Sequence, residues 1–150
     1  MRSEAQGYAL QLKQSERPRE PKRMARIIIA EDDEIVSNIV HEALTKAGHV
    51  VGVVDNGADA LRAIKVKTPD LVILDCSMPE LNGLMVLREM RTSLALYGTP
   101  VLVLTGRQSA RDVDLAYNQG ANDYMKKPFD PEELVFRVEE LLENPRGSRS

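Results

Sequence analysis

Four strand-like runs in this chain each lead into a residue that can do chemistry. Arg26–Ala30 runs into Glu31, Asp32 and Asp33, and Leu71–Leu74 into Asp75. Val101–Leu104 runs into Thr105, and Tyr124–Lys126 into Lys127, which precedes Pro128. Carboxylates gathered in one pocket repel one another and raise each other's pKa unless a cation compensates. Their hard oxygens favour Mg²⁺ (or Mn²⁺), and Mg²⁺ keeps several waters and takes one or two carboxylates plus phosphate oxygens. Lys127 would add a mobile positive charge and Thr105 a hydroxyl donor. Such a set suits phosphoryl transfer, which is mostly positioning and charge stabilisation. A carboxylate can itself accept the phosphoryl group, as aspartyl-phosphate intermediates show. Each residue alone also has a plainer reading. Acidic residues after a strand often cap the next helix, which suits Asp33; Thr105 fits a turn, and Lys127 a surface charge. The coincidence at four strand ends favours a site.

For these ends to meet, the elements between them must bring them to one edge of a sheet. Val50–Val54 is a further apolar run. Ile35, Val36, Ile39, Val40, Ala43, Leu44 and Ala47 recur at helical spacing, with Gly48 as a C′ glycine. Ala60, Leu61 and Ile64 mark a second helix that closes before Thr68-Pro69. Leu84–Met90 reads as a third, and Ala110–Gln119, ended by Gly120, as a fourth. Pro131 opens a fifth, whose apolar face is Leu134, Val135, Val138, Leu141 and Leu142. Five strands alternating with five helices predict an α/β fold with a parallel sheet buried on both faces. Right-handed crossovers reduce this to a doubly wound sheet. The flavodoxin-like order 2-1-3-4-5 is the common five-strand solution, with its site at the carboxyl ends of the strands.

Composition sets the outer limits. Apolar residues make up 43% and aromatics only 4%, so the core must be aliphatic. The net charge of -3 provides no basic stripe for nucleic acid. One Cys and two His cannot build a structural zinc site unaided. No apolar run approaches the roughly 18–20 residues that span a bilayer. The N-terminus has no signal-peptide core, so a cytoplasmic protein without a membrane partner is expected. Residues 1–23 carry many charges around Pro18 and Pro21, with Tyr8, Leu10 and Leu12 as their one apolar cluster. They read as a disordered extension or a short docking peptide, and 144–150 as a flexible tail. That leaves one domain over 24–143.

The motifs resemble the receiver domains of bacterial response regulators. They are Ile28-Ile29-Ala30-Glu31-Asp32-Asp33, Leu71-Val72-Ile73-Leu74-Asp75, Met78-Pro79-Glu80-Leu81-Asn82-Gly83, Val101-Leu102-Val103-Leu104-Thr105-Gly106 and Gly120-Ala121-Asn122-Asp123-Tyr124-Met125-Lys126-Lys127-Pro128-Phe129. The resemblance covers Arg26 to Glu143 and implies a role for each residue. Asp75 would be the phosphoacceptor. Asp32 would be a direct metal ligand, with Glu31 acting through water and the Ser77 backbone carbonyl completing the set. Thr105 and Tyr124 would form the switch, and Lys127 would pair with the phosphate. The Lys127–Pro128 bond would be cis. Departures are Glu31, where many members carry aspartate, Gly106 and Arg107 beside the switch threonine, and Cys76 after the acceptor.

The resemblance implies a non-enzymatic phosphoacceptor, and with only 144–150 after its last helix it is expected to stand alone. It would assist only its own phosphorylation and dephosphorylation, and be served by a sensor histidine kinase or a histidine phosphotransfer protein. Its output would pass to a downstream protein through the fourth helix, fifth strand and fifth helix, without direct nucleic-acid contact. Asp123, Glu133 and Arg137 resemble part of a charged dimer set on that face, but Val113 stands where a basic residue is common. A monomer or a weak phosphorylation-dependent dimer is expected. Three other classes fit the residues less well. A haloacid-dehalogenase-type phosphatase needs a second Asp where Ser77 stands. A nucleotide-binding domain needs a Gly-rich loop after the first strand. A pseudo-receiver would not need the full acid, Thr and Lys set.

Overall fold

The computed structural model describes residues 24–78, 81–106 and 110–145, with the side chains of 110–112 left aside. The expected N-terminal extension, Pro79, Glu80, Arg107 and residues 146–150 of the tail lie outside the described residues. The elements alternate throughout: β1 (Arg26–Ala30), α1 (Glu34–Lys46), β2 (Val50–Val54), α2 (Gly57–Lys67), β3 (Leu71–Asp75), α3 (Gly83–Arg91), β4 (Val101–Thr105), α4 (Ala110–Asn118), β5 (Asp123–Lys126) and α5 (Pro131–Glu143). All four strand pairings are parallel, in the order β2-β1-β3-β4-β5.

Side-chain alternation along the strands divides the core in two. Ile28, Ala30, Val72, Leu74, Val101 and Val103 face one layer, with Ala60 and Ile64 of α2, Val86, Leu87 and Met90 of α3, and Ala116 of α4. Ile27, Ile29, Leu71, Ile73, Leu102 and Leu104 face the other, with Val40 and Leu44 of α1 and Leu134, Val138 and Leu141 of α5. Among the described residues this buried core contains no aromatic ring, as the composition requires.

The expectation of burial on both faces holds for β1, β3 and β4 and fails for β2. There Val50 and Val53 are exposed, because β2 is an edge strand that the helices cover only in part. Three strand boundaries also shift by one residue. Asp75 and Thr105 belong to β3 and β4, pairing with Leu104 and Lys126, and β5 starts at Asp123 opposite Leu102. Polarity misplaced these ends, since the last rung of a ladder can carry a side chain that faces the site.

Helix ends follow local chemistry. Gly48 and Gly120 take the left-handed conformation where the first and fourth helices stop. Asn56 and Asn82 cap α2 and α3 through their side-chain oxygens. Arg91, at the end of α3, is half-buried. It donates to the carbonyls of Leu96, Tyr97, Thr99 and Gly120 and to Asn122 Oδ1, which fastens the α3–β4 and α4–β5 loops together.

Asp33 caps α1: its Oδ1 accepts from Ile35 N–H at 2.9 Å and from Val36 N–H at 3.3 Å. Its carboxylate is thereby committed to the helix. Asp33→Ala is expected to lose about 1 kcal/mol of stability in urea denaturation, while Asp33→Ser keeps most of it. Equal losses in the two variants would show that Asp33 acts by something other than capping.

Candidate functional site

The fold gathers the strand-end residues into one pocket. Glu31, Asp75 and Thr105 are buried, at 1%, 4% and 1% exposure, while Asp32 lies at the exposed rim. One carboxylate oxygen from each of Glu31, Asp32 and Asp75 lies within 4.8 Å of the other two. Lys127 reaches over from the end of β5. Its Nζ lies 3.3 Å from Asp75 Oδ1 and in direct contact with Glu31 Oε1. Two backbone donors complete the frame. Ser77 N–H donates to Asp75 Oδ1 at 3.3 Å, and Asp33 N–H donates to Glu31 Oε2 at 3.2 Å.

These contacts set the protonation of the cluster. Burial is the largest influence on Glu31; with the hydrogen bond it makes to Asp75, it raises the Glu31 pKa to about 7 against the pull of Lys127. Burial also works against the Asp75 carboxylate. The Glu31 hydrogen bond, the Lys127 charge and the Ser77 N–H outweigh it, so the Asp75 pKa lies below its usual value. Lys127 is held above its usual value because Glu31 and Asp75 outweigh its burial. Below about pH 7 the buried pair therefore favours the proton on Glu31 and the negative charge on Asp75.

The donor set fits a small hard cation. Mg²⁺ binds oxygens at about 2.0–2.1 Å, so opposite ligands stand about 4 Å apart. Three carboxylate oxygens within 4.8 Å of one another are in the range that one such ion can gather, directly or through a bound water. Asp32 and Asp75 are suited to hold it, and its charge would neutralise the oxygens of a phosphoryl group.

The two residues expected to form a switch lie on β4 and β5. Thr105 is the last residue of β4, and its carbonyl accepts from Lys127 N–H at 2.8 Å. Tyr124 pairs with Val103, two rungs below the Thr105–Lys126 pair, and packs against the core layer of α2 and α3. Paired residues share a sheet face, so Tyr124 and Thr105 lie diagonally on the same one. The Lys127–Pro128 bond is cis. On the neighbouring face, Arg137 donates to Asp123 Oδ1 and the Tyr124 carbonyl, each at 3.1 Å, and to Glu133 Oε1 at 2.9 Å. The three charges singled out as dimer residues thus pair within the chain.

Two contacts were not expected from sequence: the direct Glu31–Lys127 pair and the Ser77 N–H on Asp75. The signal for the first is the extra methylene of Glu31, which lets its carboxylate reach Lys127.

A pH dependence follows for the metal-free protein. A folded pKa raised from 4.5 to about 7 gives stability that is full below 4.5 and lost as pH rises through 7. Asp75 has the opposite sign, stabilising above its ordinary value of 3.8 and losing that below it. In EDTA the Tm is expected to fall as pH rises from about 5 to 8, and Glu31→Gln is expected to flatten that fall. An unchanged slope in Glu31→Gln would place the titration elsewhere.

Known proteins are similar to this chain in sequence and fold. The family model for the response regulator receiver domain matches residues 27–139. The DNA-binding response regulator MtrA of Mycolicibacterium smegmatis is 38% identical over 117 residues, covering 78% of this chain and 50% of MtrA. This chain spans about half the length of the curated relatives it matches. Among solved structures, the Francisella response regulator 1452 receiver domain superposes with a TM-score of 0.76 at 27% identity, covering 81% of this chain and 98% of that one. The chemotaxis response regulator CheY4 of Vibrio cholerae gives 0.75 at 27% identity, covering 79% of this chain and 98% of that one. With its strand order, its acidic pocket and this match over most of its length, the chain belongs to the response regulator receiver family of two-component signalling.

Proposed function

We propose that this receiver accepts a phosphoryl group on Asp75, with Mg²⁺ (or Mn²⁺) held by Asp32, Asp75 and the Ser77 carbonyl and contacted by Glu31 through water. The observation that carries the proposal is the state of Asp75. It is a buried carboxylate with the Lys127 ammonium 3.3 Å from its Oδ1, a contact that helps hold its pKa below the usual value. An ionised oxygen is the nucleophile this chemistry needs. The donor is a phosphohistidine on a sensor histidine kinase or a histidine phosphotransfer protein. An Asp75 oxygen bonds to phosphorus, the phosphorus–nitrogen bond breaks, and the imidazole leaves with the electron pair. Lys127 turns from the carboxylates to the new phosphoryl oxygens. The chain catalyses nothing beyond gaining and losing its own phosphate.

The output is proposed to run through Thr105 and Tyr124. Phosphorylation adds roughly −1.5 to −2 charges and new acceptor oxygens. The Thr105 hydroxyl donates to one of them, and the space it leaves takes the Tyr124 ring, which reshapes the face of α4, β5 and α5. Driving such an equilibrium from 1:99 to 99:1 needs about 5.5 kcal/mol. One charge-assisted hydrogen bond contributes about 1.5–3 kcal/mol, so Lys127 and the metal must share the work. That face is proposed to bind a downstream protein. Because Arg137 is already paired within the chain, self-association there is expected to be weak and phosphate-dependent.

The proposal concerns the receiver unit, which in the MtrA relative makes up half of a protein named as DNA-binding. A cytoplasmic place accompanies it. Among the described residues no helix is long and apolar enough to cross a membrane.

Incubation with a small phosphodonor and Mg²⁺ is expected to add one phosphoryl group by intact mass. Asp75→Asn is expected to abolish it, and Asp32→Ala to weaken metal dependence by about tenfold or more. Phosphate on the Asn variant would refute the assignment. Thr105→Ala is expected to accept phosphate normally, yet to lose the amide shifts that phosphorylation causes around Tyr124 and Arg137. Full shifts in that variant would remove Thr105 from the switch.

A further inference from the structure

Helices α1 and α5 pack on the same face of the sheet and leave a groove of about 620 Å³ between them. Its apolar lining is Ile39 and Ala43 of α1 with Pro131 and Val135 of α5. Ile39 is 41% exposed, and Ile35, one turn earlier on the same stripe of α1, is 72% exposed. The rim carries two carboxylates, Glu42 and Glu132, and one cation, Lys46, whose Nζ lies 3.2 Å from Glu42 Oε1. An apolar groove with a polar rim, open along two packed helices, is the form of a peptide-docking surface.

The chain enters the fold at one end of that groove. Ala25 donates its N–H to His49 Nδ1 at 3.1 Å, and its carbonyl accepts the Val50 N–H at 2.9 Å. These bonds tie the start of β1 to the residues just past α1. Lys46, the last residue of α1, lines the groove at this end. The 23 residues ahead of Met24 hold one apolar cluster, Tyr8, Leu10 and Leu12. Their spacing at every second position puts all three on one side of an extended chain. Lys46 and Ile39 are seven residues of helix apart, about 10 Å. The eleven residues from Lys13 to Arg23 span up to about 36 Å, so the cluster reaches the groove. Charge agrees with this. Residues 1–23 hold six basic and three acidic side chains in a chain of net charge -3, and Lys13 directly follows the cluster. A short tether gives an effective concentration in the millimolar range. A contact too weak to join two free molecules is then still populated.

We propose that Tyr8–Leu12 docks in the α1–α5 groove of its own chain, with Tyr8, Leu10 and Leu12 against Ile39, Ala43 and Val135 and Lys13 at the acidic rim. The segment is then a tethered cover for a helix face that the receiver fold leaves open.

NOEs in the full chain test this. The Tyr8 ring protons are expected to show NOEs to the methyl groups of Ile39 and Val135. The double variant Leu10→Asp, Leu12→Asp leaves the core of the fold untouched. It is expected to lose these NOEs and to shift the amide signals of Ile39, Ala43 and Val135. Ile39→Ser, at an exposed position, is expected to lose the Tyr8–Val135 NOE from the other side of the contact. Absence of the NOEs in the wild type would overturn the proposal, as would unmoved amides at Ile39, Ala43 and Val135 in the double variant. A Tyr8–Val135 NOE that survives Ile39→Ser would also overturn it. NOEs seen only between labelled and unlabelled chains in a mixed sample would assign the groove to a second copy and overturn it as well.

Discussion

Like-charge repulsion at the carboxyl ends of β1 and β3 is the constraint on which the rest of the structure depends. Two of the three carboxylates there are buried, and burial strengthens their repulsion as well as their desolvation. The chain relieves it with Lys127 and with the rise of the Glu31 pKa to about 7 that burial brings, so that the proton replaces one of the charges below that pH. That settlement is complete enough for folding and leaves Asp75 charged. It is also provisional: a divalent cation can replace the proton, and a phosphoryl group can draw Lys127 away from the carboxylates. A pocket balanced in this way suits the proposed phosphate chemistry.

The sheet sets that local balance beside the proposed output face. Asp75 and Thr105 are the last rungs of adjacent strands, and the Thr105 carbonyl holds the Lys127 N–H. Tyr124 lies on the same sheet face as Thr105, two rungs away, and its carbonyl accepts from Arg137 of α5. A shift of one hydroxyl at the pocket therefore borders directly on the residues that shape the α4–β5–α5 face. The interior between them is close-packed, and such interiors move between discrete arrangements more readily than they deform.

Much of this was legible in the sequence because apolar runs that stop at polar residues mark buried parallel strands and, at their ends, a site. Glu31, Asp32, Asp75, Thr105 and Lys127 were placed together on that pattern alone. Asp33 could be set apart from them because its position suited a helix cap. Other features lay beyond the pattern. The exposed faces of Val50 and Val53 follow from strand order, which sets β2 at the edge. The Glu31–Lys127 contact depends on the reach of one extra methylene across 96 residues of chain. The Arg91 fastening draws on carbonyls of four residues, and carbonyls carry no side-chain signature.

The measurement that bears most directly on this balance is a pH titration of the Glu31 and Asp75 side-chain carboxyl carbons by NMR, with and without Mg²⁺. Without metal, the Glu31 carbon is predicted to titrate near 7, with Asp75 remaining ionised well below it. With saturating Mg²⁺, the Glu31 transition is predicted to move to lower pH as the cation replaces the proton. A Glu31 that titrates near its ordinary 4.5 without metal, or whose transition Mg²⁺ does not move, would contradict the account.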